Sequence, residues 1–287
     1  RFSPHIAVLL EIFPEHLDHH GTFEQYERAK LNITVNQRTN DFLVINKFQY
    51  KHPQLSLMTS ANRVFFTEEP TTGSSVFLDN NCITIAQNGE AIPLLRADEL
   101  RLLGRGNIRN TLAAVSVCSL CGVPSGHIAQ ELRNFEPLEH RLEYVGEFRG
   151  IKFYNDSLST IPQAAINALD ALKLDVATMI LGGHDRGVDY TPLGPAVMES
   201  AVRTIILMPG SGERIWEAIR RAGNKADRLP RKFAVSSLEE AVRIAYQETP
   251  EGKTCLLSPA SSSLNMFRDY RERGEIFRSC VRKFGLE

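Results

Sequence analysis

His140-Arg141-Leu142-Glu143, Tyr154-Asn155-Asp156-Ser157 and Gly182-Gly183-His184-Asp185-Arg186-Gly187 follow one another in a strand-turn rhythm. They put a basic side chain, a carboxylate, a hydroxyl and a glycine turn at successive ends of predicted β-strands. In an α/β sheet, ligands sit outside the carboxyl ends of strands, so these turns are site candidates. Any one of them alone reads more simply as an ordinary polar turn.

Working outward, the pattern from Glu139 onward predicts a hairpin, Glu143 to Phe148 and Ile151 to Tyr154, turning at Arg149-Gly150. A helix over 162–172 and a strand over 176–181 follow. Strand-helix pairs come next at 204–208 with 213–222, at 233–235 with 238–246, and at 254–257 with 265–284. Strands alternating with ten-residue helices imply a largely parallel sheet with helices on both faces.

The first half has a different texture. A buried strand at Ile6 to Ile12 leads into a predicted helix from Thr22 to about Gln37, with Thr22 as N-cap and Gln25 completing a capping box. Short runs at 42–45, 64–66, 76–78 and 83–85, separated by turn clusters, suggest β-hairpins at an edge. Helices over 107–120 and 124–135 close this half, the second with Pro124 in its first turn.

The 287 residues suffice for about two domains. Lys plus Arg total 33 and Asp plus Glu 34, a net charge of −1 that gives no broad surface for nucleic acid or acidic membrane. Apolar runs are too short to span a bilayer and no secretory leader is visible, so a cytoplasmic protein is expected. Arg1 opening directly into an apolar strand is expected of a piece of a longer parent. The five cysteines form no framework, and Cys118-x-x-Cys121 lacks a partner pair or histidines for zinc, so buried reduced thiols are expected.

Two glycine-rich turns are set aside. Gly252-Lys253-Thr254 precedes its strand and has Gln247 where a phosphate loop needs glycine. Pro209-Gly210-Ser211-Gly212-Glu213 could hold an anion at a helix start but reads better as a structural turn. Pro14-Glu15-His16-Leu17-Asp18-His19-His20-Gly21, with Tyr26 and Lys30 beyond it, could bind metal or be a solvated turn. Asn107 and Asn110, at i and i+3, share one face of a helix start, where amides cap the helix or read an adenine edge.

Together with Leu103-Gly104-Arg105-Gly106-Asn107, Ala113-Ala114, Leu257-Ser258-Pro259-Ala260, Ser263, Phe267 and Arg273-Gly274, these segments in this order resemble the ATP-dependent Mur ligases of peptidoglycan synthesis. The glutamate-adding members are the nearest match. The resemblance covers essentially the whole chain but only the later part of the family's length. It implies an α/β chain: residues 1–137 as the second half of a P-loop-type central ATPase domain, and 138–287 as a Rossmann-like, largely parallel-sheet, amino-acid-binding domain.

The implied reaction joins glutamate to UDP-N-acetylmuramoyl-L-alanine through an acyl phosphate, with ATP and Mg2+, in a cytoplasmic monomer without nucleic-acid or membrane partners. D-Glutamate is the commoner substrate. By the resemblance, His16 ligates magnesium and Lys30 becomes a carbamate that does the same. Asn107 and Asn110 contact adenine, and Arg141 and Asp156 hold nucleotide phosphate and ribose. Thr160, Arg186, Ser263 and Tyr270 contact the incoming glutamate. Without a glycine-lysine-serine/threonine loop after a strand, the chain alone is expected to be inactive.

Three positions depart from the family pattern. Leu158 replaces a lysine in Asp156-Ser157-Leu158-Ser159-Thr160-Ile161, Arg186 stands where lysine is usual, and Tyr270 replaces phenylalanine. These changes look like those of variant ligases that use L-glutamate. A folylpolyglutamate-synthase-like ligase fits the 140–143 and 258–263 motifs less well. A non-enzymatic binding module would leave the sheet edge at the first strand exposed.

Overall fold

The structure, a computed structural model, describes residues 2–48, 58–87, 89–223 and 229–286; Arg1 lies outside them. The chain forms two compact units, Arg1–Glu136 and Pro137–Glu287.

The first unit is a six-stranded sheet in the order β1-β2-β3-β4-β5-β6. Its strands are β1 (Ile6–Leu9), β2 (Phe42–Asn46), β3 (Asn62–Thr67), β4 (Ser74–Asp79), β5 (Cys82–Gln87) and β6 (Glu90–Arg96). β1 to β4 are parallel; β4, β5 and β6 form an antiparallel meander. The expectation of edge hairpins therefore holds for β4 to β6 and fails for β2 and β3. Leu43, Val44 and Ile45 are all buried, which requires cover on both faces, as in a parallel sheet. β6 escapes a sequence reading because Pro93 interrupts it; the sheet tolerates the missing N–H because β6 is an edge strand.

The described helices of this unit include α1 (Leu17–His20), α2 (Phe23–Leu31), α3 (Arg105–Leu120) and α4 (Ser125–Asn134). α2 begins as expected, with Thr22 Oγ1 accepting the Gln25 N–H at 3.2 Å. Only this half of the capping box forms, since the Thr22 N–H goes to the His20 carbonyl. The helix ends at Leu31, six residues before Gln37. There the Thr34 hydroxyl takes the Leu31 carbonyl at 2.9 Å, and tight turns replace the helical ladder. The cysteine expectation fails at α3: Cys121 is exposed and Cys118 only half-buried, because the helix presents its last turn to solvent; both are free.

The second unit is a sheet in the order β11-β10-β9-β12-β8-β7. Its strands are β7 (Glu143–Phe148), β8 (Ile151–Asn155), β9 (Val176–Leu181), β10 (Thr204–Leu207), β11 (Arg231–Ala234) and β12 (Thr254–Leu257). All neighbours are parallel except the β7–β8 hairpin. Alternation within the apolar strands feeds two cores. Met179, Leu181, Ile205, Leu207 and Leu256 meet α5 (Pro162–Leu172), α6 (Leu193–Met198) and α7 (Gly212–Ala222). Ile180, Ile206, Cys255 and Leu257 meet α8 (Leu238–Glu248) and α9 (Tyr270–Gly285). Burying each such side chain contributes roughly 1.5–3 kcal/mol. α6 is too short, and too rich in Gly and Pro, to show a helical period. α9 starts at Tyr270, five residues later than the sequence suggests, where Asp269 caps the Arg271 and Glu272 N–H groups. No helix among the described residues is long and apolar enough to cross a membrane.

From β9 the chain moves outward to β10 and β11, whereas β12 and β8 lie on its other side. The strand order reverses between β9 and β12, the place where open α/β sheets bind ligands. The turns after these strands pack backbone to backbone. A Cβ on Gly183, whose φ is +148°, would lie 2.3 Å from the Ser262 carbonyl oxygen, and one on Gly210 would lie 2.2 Å from the Gly183 carbonyl oxygen. The Ser211 N–H is already used by the Gly183 carbonyl at 2.8 Å, which makes the Pro209–Glu213 segment a structural turn.

Gly183→Ala is expected to destabilise the protein by about 2–4 kcal/mol, combining backbone strain with overpacking. Urea unfolding checks this, and an unchanged midpoint would contradict the packing described.

Candidate functional site

The end of β8 delivers Asn155 and Asp156 into the reversal point. Asp156 is 1% exposed. Its Oδ1 accepts the Leu142 N–H at 3.2 Å; its Oδ2 accepts the Ser258 hydroxyl at 2.7 Å and a short bond from the Ser159 hydroxyl. Burial pushes its pKa up from 3.8 to about 6, opposed by the two hydroxyls, the Leu142 amide and the charge of Arg141.

Arg273 of α9 is fully buried. Its Nε donates to Ser157 Oγ at 3.0 Å, Nη2 to the Ser157 carbonyl at 2.7 Å and Nη1 to the Ser261 carbonyl at 3.0 Å. One guanidinium thus ties the turns after β8 and β12 to α9. Desolvation lowers its pKa to about 9, opposed by the Asp156 charge.

His140, buried at φ +63°, meets the Asn155 amide at 2.9 Å, and its carbonyl accepts the Leu158 N–H at 3.0 Å. Asn155 also donates to Glu143 at 3.0 Å. Arg278 then takes Glu143 at 2.6 Å, Glu139 at 3.5 Å and, more closely, Glu275. Two of these acids, Glu139 and Glu143, flank Arg141 in the chain. The half-buried Arg141 guanidinium has no ion-pair partner among the described residues. Glu139, His140 and Glu275 bring ligand atoms within 4.8 Å of one another, but Arg278 already supplies a cation to both carboxylates.

The structure brings other sequence-nominated residues together. Arg186 Nη2 donates to the Thr160 carbonyl at 3.3 Å. The Tyr270 ring stands edge-on to His140 at 6.1 Å, and its carbonyl accepts the Ser157 hydroxyl at 2.7 Å. Ser263 is buried, its carbonyl accepting the Met266 and Phe267 N–H groups. Sequence reasoning gave no role to Ser159, Ser258 or the Arg273 side chain. An arginine in a polar helix carries no local sign of burial, so only its motif membership drew notice.

In the first unit, His16 is exposed at φ +56° on the turn after β1. Its ring lies 6.2 Å from Tyr26, and the Lys30 ammonium lies 5.2 Å from the same ring's centroid, one helical turn on. Tyr26 therefore links the two nominated metal-site residues, both exposed enough for a ligand. Their donor set suits a hard cation only with an oxygen ligand on Lys30, since an ammonium would repel it.

At the start of α3, Asn107 Nδ2 donates to the Leu103 carbonyl at 2.8 Å, a tie back to the preceding turn and not an N-cap, since Gly104 holds that position. Asn110 is exposed, without a side-chain hydrogen bond among the described residues. Between them, Arg109 pairs with Glu11 after β1 and with Glu68 after β3, the latter at 3.0 Å. The Glu68 contact is too poorly aligned to satisfy the buried Nε, so it acts as charge pairing more than as a directed bond.

The chain matches the family model "Mur ligase middle domain" over residues 1–118 and "Mur ligase, glutamate ligase domain" over 140–261. It is 38% identical over 283 residues to a UDP-N-acetylmuramoylalanine–D-glutamate ligase of Thermoanaerobacter sp. (strain X514), covering 98% of this chain and 61% of the relative. A protein of the same description from Symbiobacterium thermophilum is 37% identical over 281 residues, covering 97% of this chain and 60% of the relative. The chain thus spans about 60% of the length of the curated relatives it matches. In fold it is similar to MurF from Acinetobacter baumannii, with a TM-score of 0.73 at 17% identity over 98% of this chain and 60% of that one. It is also similar to MurF from Thermotoga maritima in complex with ADP, with a TM-score of 0.68 at 17% identity over 98% of this chain and 63% of that one.

The raised pKa of Asp156 has a thermodynamic sign. The folded state holds the proton more tightly than the unfolded chain, so this contribution is complete below pH 3.8 and lost as pH rises through about 6. The unfolding free energy of wild type minus that of Asp156→Asn is expected to fall by on the order of 3 kcal/mol across this window. Denaturant titrations between about pH 4 and 7 check this; a flat difference would contradict the burial argument.

Proposed function

The chain belongs to the Mur ligase family, and from that premise we propose that it is the later part of an ATP-dependent ligase adding D-glutamate to UDP-N-acetylmuramoyl-L-alanine. The observation that carries this reading is the similarity to D-glutamate ligases, which runs through both units at 38% identity and not through one motif. On this reading the chain holds the second half of a central ATPase domain and an amino-acid-binding domain. It works as a cytoplasmic monomer.

The acceptor carboxylate is a poor acyl donor. ATP phosphorylates it, giving an acyl phosphate and ADP. The glutamate amine attacks the carbonyl carbon, the tetrahedral intermediate expels phosphate, and the nitrogen loses its proton to leave an amide. Such chemistry depends on positioning and on neutralising crowded anions.

Asn107 and Asn110 are assigned to the adenine edge, a role open to the exposed Asn110 amide and only partly to Asn107. Arg141 is assigned to nucleotide phosphate, and supporting this is its lack of an internal ion-pair partner, with Glu139 and Glu143 both taken by Arg278. A planar guanidinium not held in an ion pair suits bidentate phosphate binding. Asp156 is assigned to the ribose side of the site; buried and bonded to the Ser159 and Ser258 hydroxyls and the Leu142 amide, it acts there by fixing the turn after β8. His16 and a carbamylated Lys30 would hold Mg2+, which neutralises phosphate charge when bound.

Thr160, Arg186, Ser263 and Tyr270 are assigned to the incoming amino acid. Arg186 supplies the positive charge for its side-chain carboxylate, supported by the bond to Thr160. The second reading, L-glutamate, is carried by the departures at Leu158, Arg186 and Tyr270; of these, the Leu158 N–H bonds the His140 carbonyl and the Tyr270 ring stands edge-on to the His140 ring.

The intact protein is expected to release phosphate from ATP with UDP-N-acetylmuramoyl-L-alanine and D-glutamate, while residues 1–287 alone remain silent. Release with L-glutamate alone would move the protein to the second reading, and robust turnover by the isolated chain would overturn the assignment. Arg141→Lys is expected to raise KM for ATP by about tenfold while KM for glutamate holds, because an ammonium cannot reproduce a bidentate contact.

A further inference from the structure

Arg186 rides on a short loop after β9, and this loop is held from outside by a side chain with no part in the reaction above. Arg214 lies in the first turn of α7. Its Nη1 donates to Asp185 Oδ1 at 2.6 Å and its Nη2 to the Val188 carbonyl at 2.9 Å. The same guanidinium stands 5.3 Å from the centroid of the Tyr190 ring. These contacts fall on both sides of Arg186, one residue before it and two and four residues after it.

The loop needs such a clamp. Gly187 sits at φ +73° with open space where a Cβ would be, so packing does not fix the turn there. Its N–H is taken by Asp185 Oδ1 at 2.9 Å, the oxygen that also receives Arg214. Further along, the Tyr190 hydroxyl meets Ser261 Oγ at 2.8 Å, and Ser261 Oγ meets Ser211 Oγ at 2.6 Å. The far end of the loop is thus anchored below, while Arg214 holds the stretch on both sides of Arg186.

As an ion pair, Arg214–Asp185 contributes little to stability, since the side chains are 46% and 31% exposed. Its effect is geometric. A planar guanidinium can bond a carboxylate and a carbonyl while facing an aromatic ring; a lysine can make only part of that set. We infer that Arg214 is a positioning residue, holding the 185–190 loop so that the Arg186 guanidinium stays beside Thr160 to receive the side-chain carboxylate of the incoming amino acid. This inference rests on the assignment of Arg186 made above.

The test uses the intact protein, with steady-state kinetics for glutamate and ATP and backbone amide exchange across the loop. Arg214→Ala is expected to speed exchange at Gly187 and Val188. It should also raise KM for glutamate by about tenfold with KM for ATP unchanged. Arg214→Lys should fall between it and wild type. Arg214→Ala in an Arg186→Ala background should add nothing further, because the first residue acts through the second. Arg231→Ala, which removes an exposed arginine and its ion pair with Glu248 at the far sheet edge, controls for a general loss of stability and should leave both KM values unchanged.

The two readings fail separately. An Arg186→Ala variant with normal KM for glutamate would sink the assignment of Arg186, whatever the exchange data say. If Arg186→Ala raises that KM but Arg214→Ala leaves it or the loop exchange unchanged, or if the two effects add, the positioning role is overturned.

Discussion

Burying the Arg273 guanidinium costs several kcal/mol unless its donors are satisfied. Here Ser157 and Ser261 satisfy them with two backbone carbonyls and a hydroxyl, and the Asp156 charge lies close enough to be felt. The arrangement constrains everything around it. The turns after β8 and β12 cannot separate without leaving a buried cation unpaired. The turn after β9 is held against the turn after β12 by the Gly182 N–H to the Pro259 carbonyl and the His184 N–H to the Ser262 carbonyl, each at 2.8 Å, and against the turn after β8 by the Arg186 bond to the Thr160 carbonyl. The three turns that flank the reversal of strand order are therefore one rigid object. Side chains on a rigid floor can be aimed, and Asp156 and Thr160 sit on its first turn.

A second constraint is the distribution of carboxylates among arginines. Arg278 gathers Glu139, Glu143 and Glu275, and Arg214 takes Asp185. The first set of pairings leaves Arg141, a cation that the proposed function needs, without an ion pair among the described residues, and the second fixes the loop that carries Arg186. A net charge of −1 conceals this division of labour. In the first unit Arg109 does related work, joining the start of α3 to the ends of β1 and β3 through Glu11 and Glu68. That contact steadies the helix face carrying Asn107 and Asn110.

Much of the architecture was legible from local pattern. The β7–β8 hairpin at Arg149-Gly150, the apolar runs of β9, β10 and β12 and the α2 N-cap at Thr22 all stand as read. Each is dictated by side-chain period, turn chemistry or capping within a few residues. The misreadings have equally local causes. Pro93 hid an edge strand, Gly and Pro hid α6, and the turns after Leu31 shortened α2. The pairing of β2 and β3 could not be read at all, since a short apolar run looks alike in a hairpin and in a parallel sheet. For the candidate site, the sequence nominated which turns matter and which residue types they carry. It did not reveal that Ser159 and Ser258 hold Asp156, or that Arg214 grips the loop bearing Arg186.

The sequence by itself thus determined the α/β class, most strand and helix positions and a set of chemically suitable side chains, because these follow from interactions within a few residues. Tertiary structure alone decided the sheet order, the convergence of the three turns, the burial of Arg273 and Asp156, and which carboxylate each arginine takes. Those outcomes depend on groups up to more than a hundred residues apart meeting in a crevice from which water is excluded. Only there do desolvation and hydrogen bonding choose among partners that look equivalent along the chain.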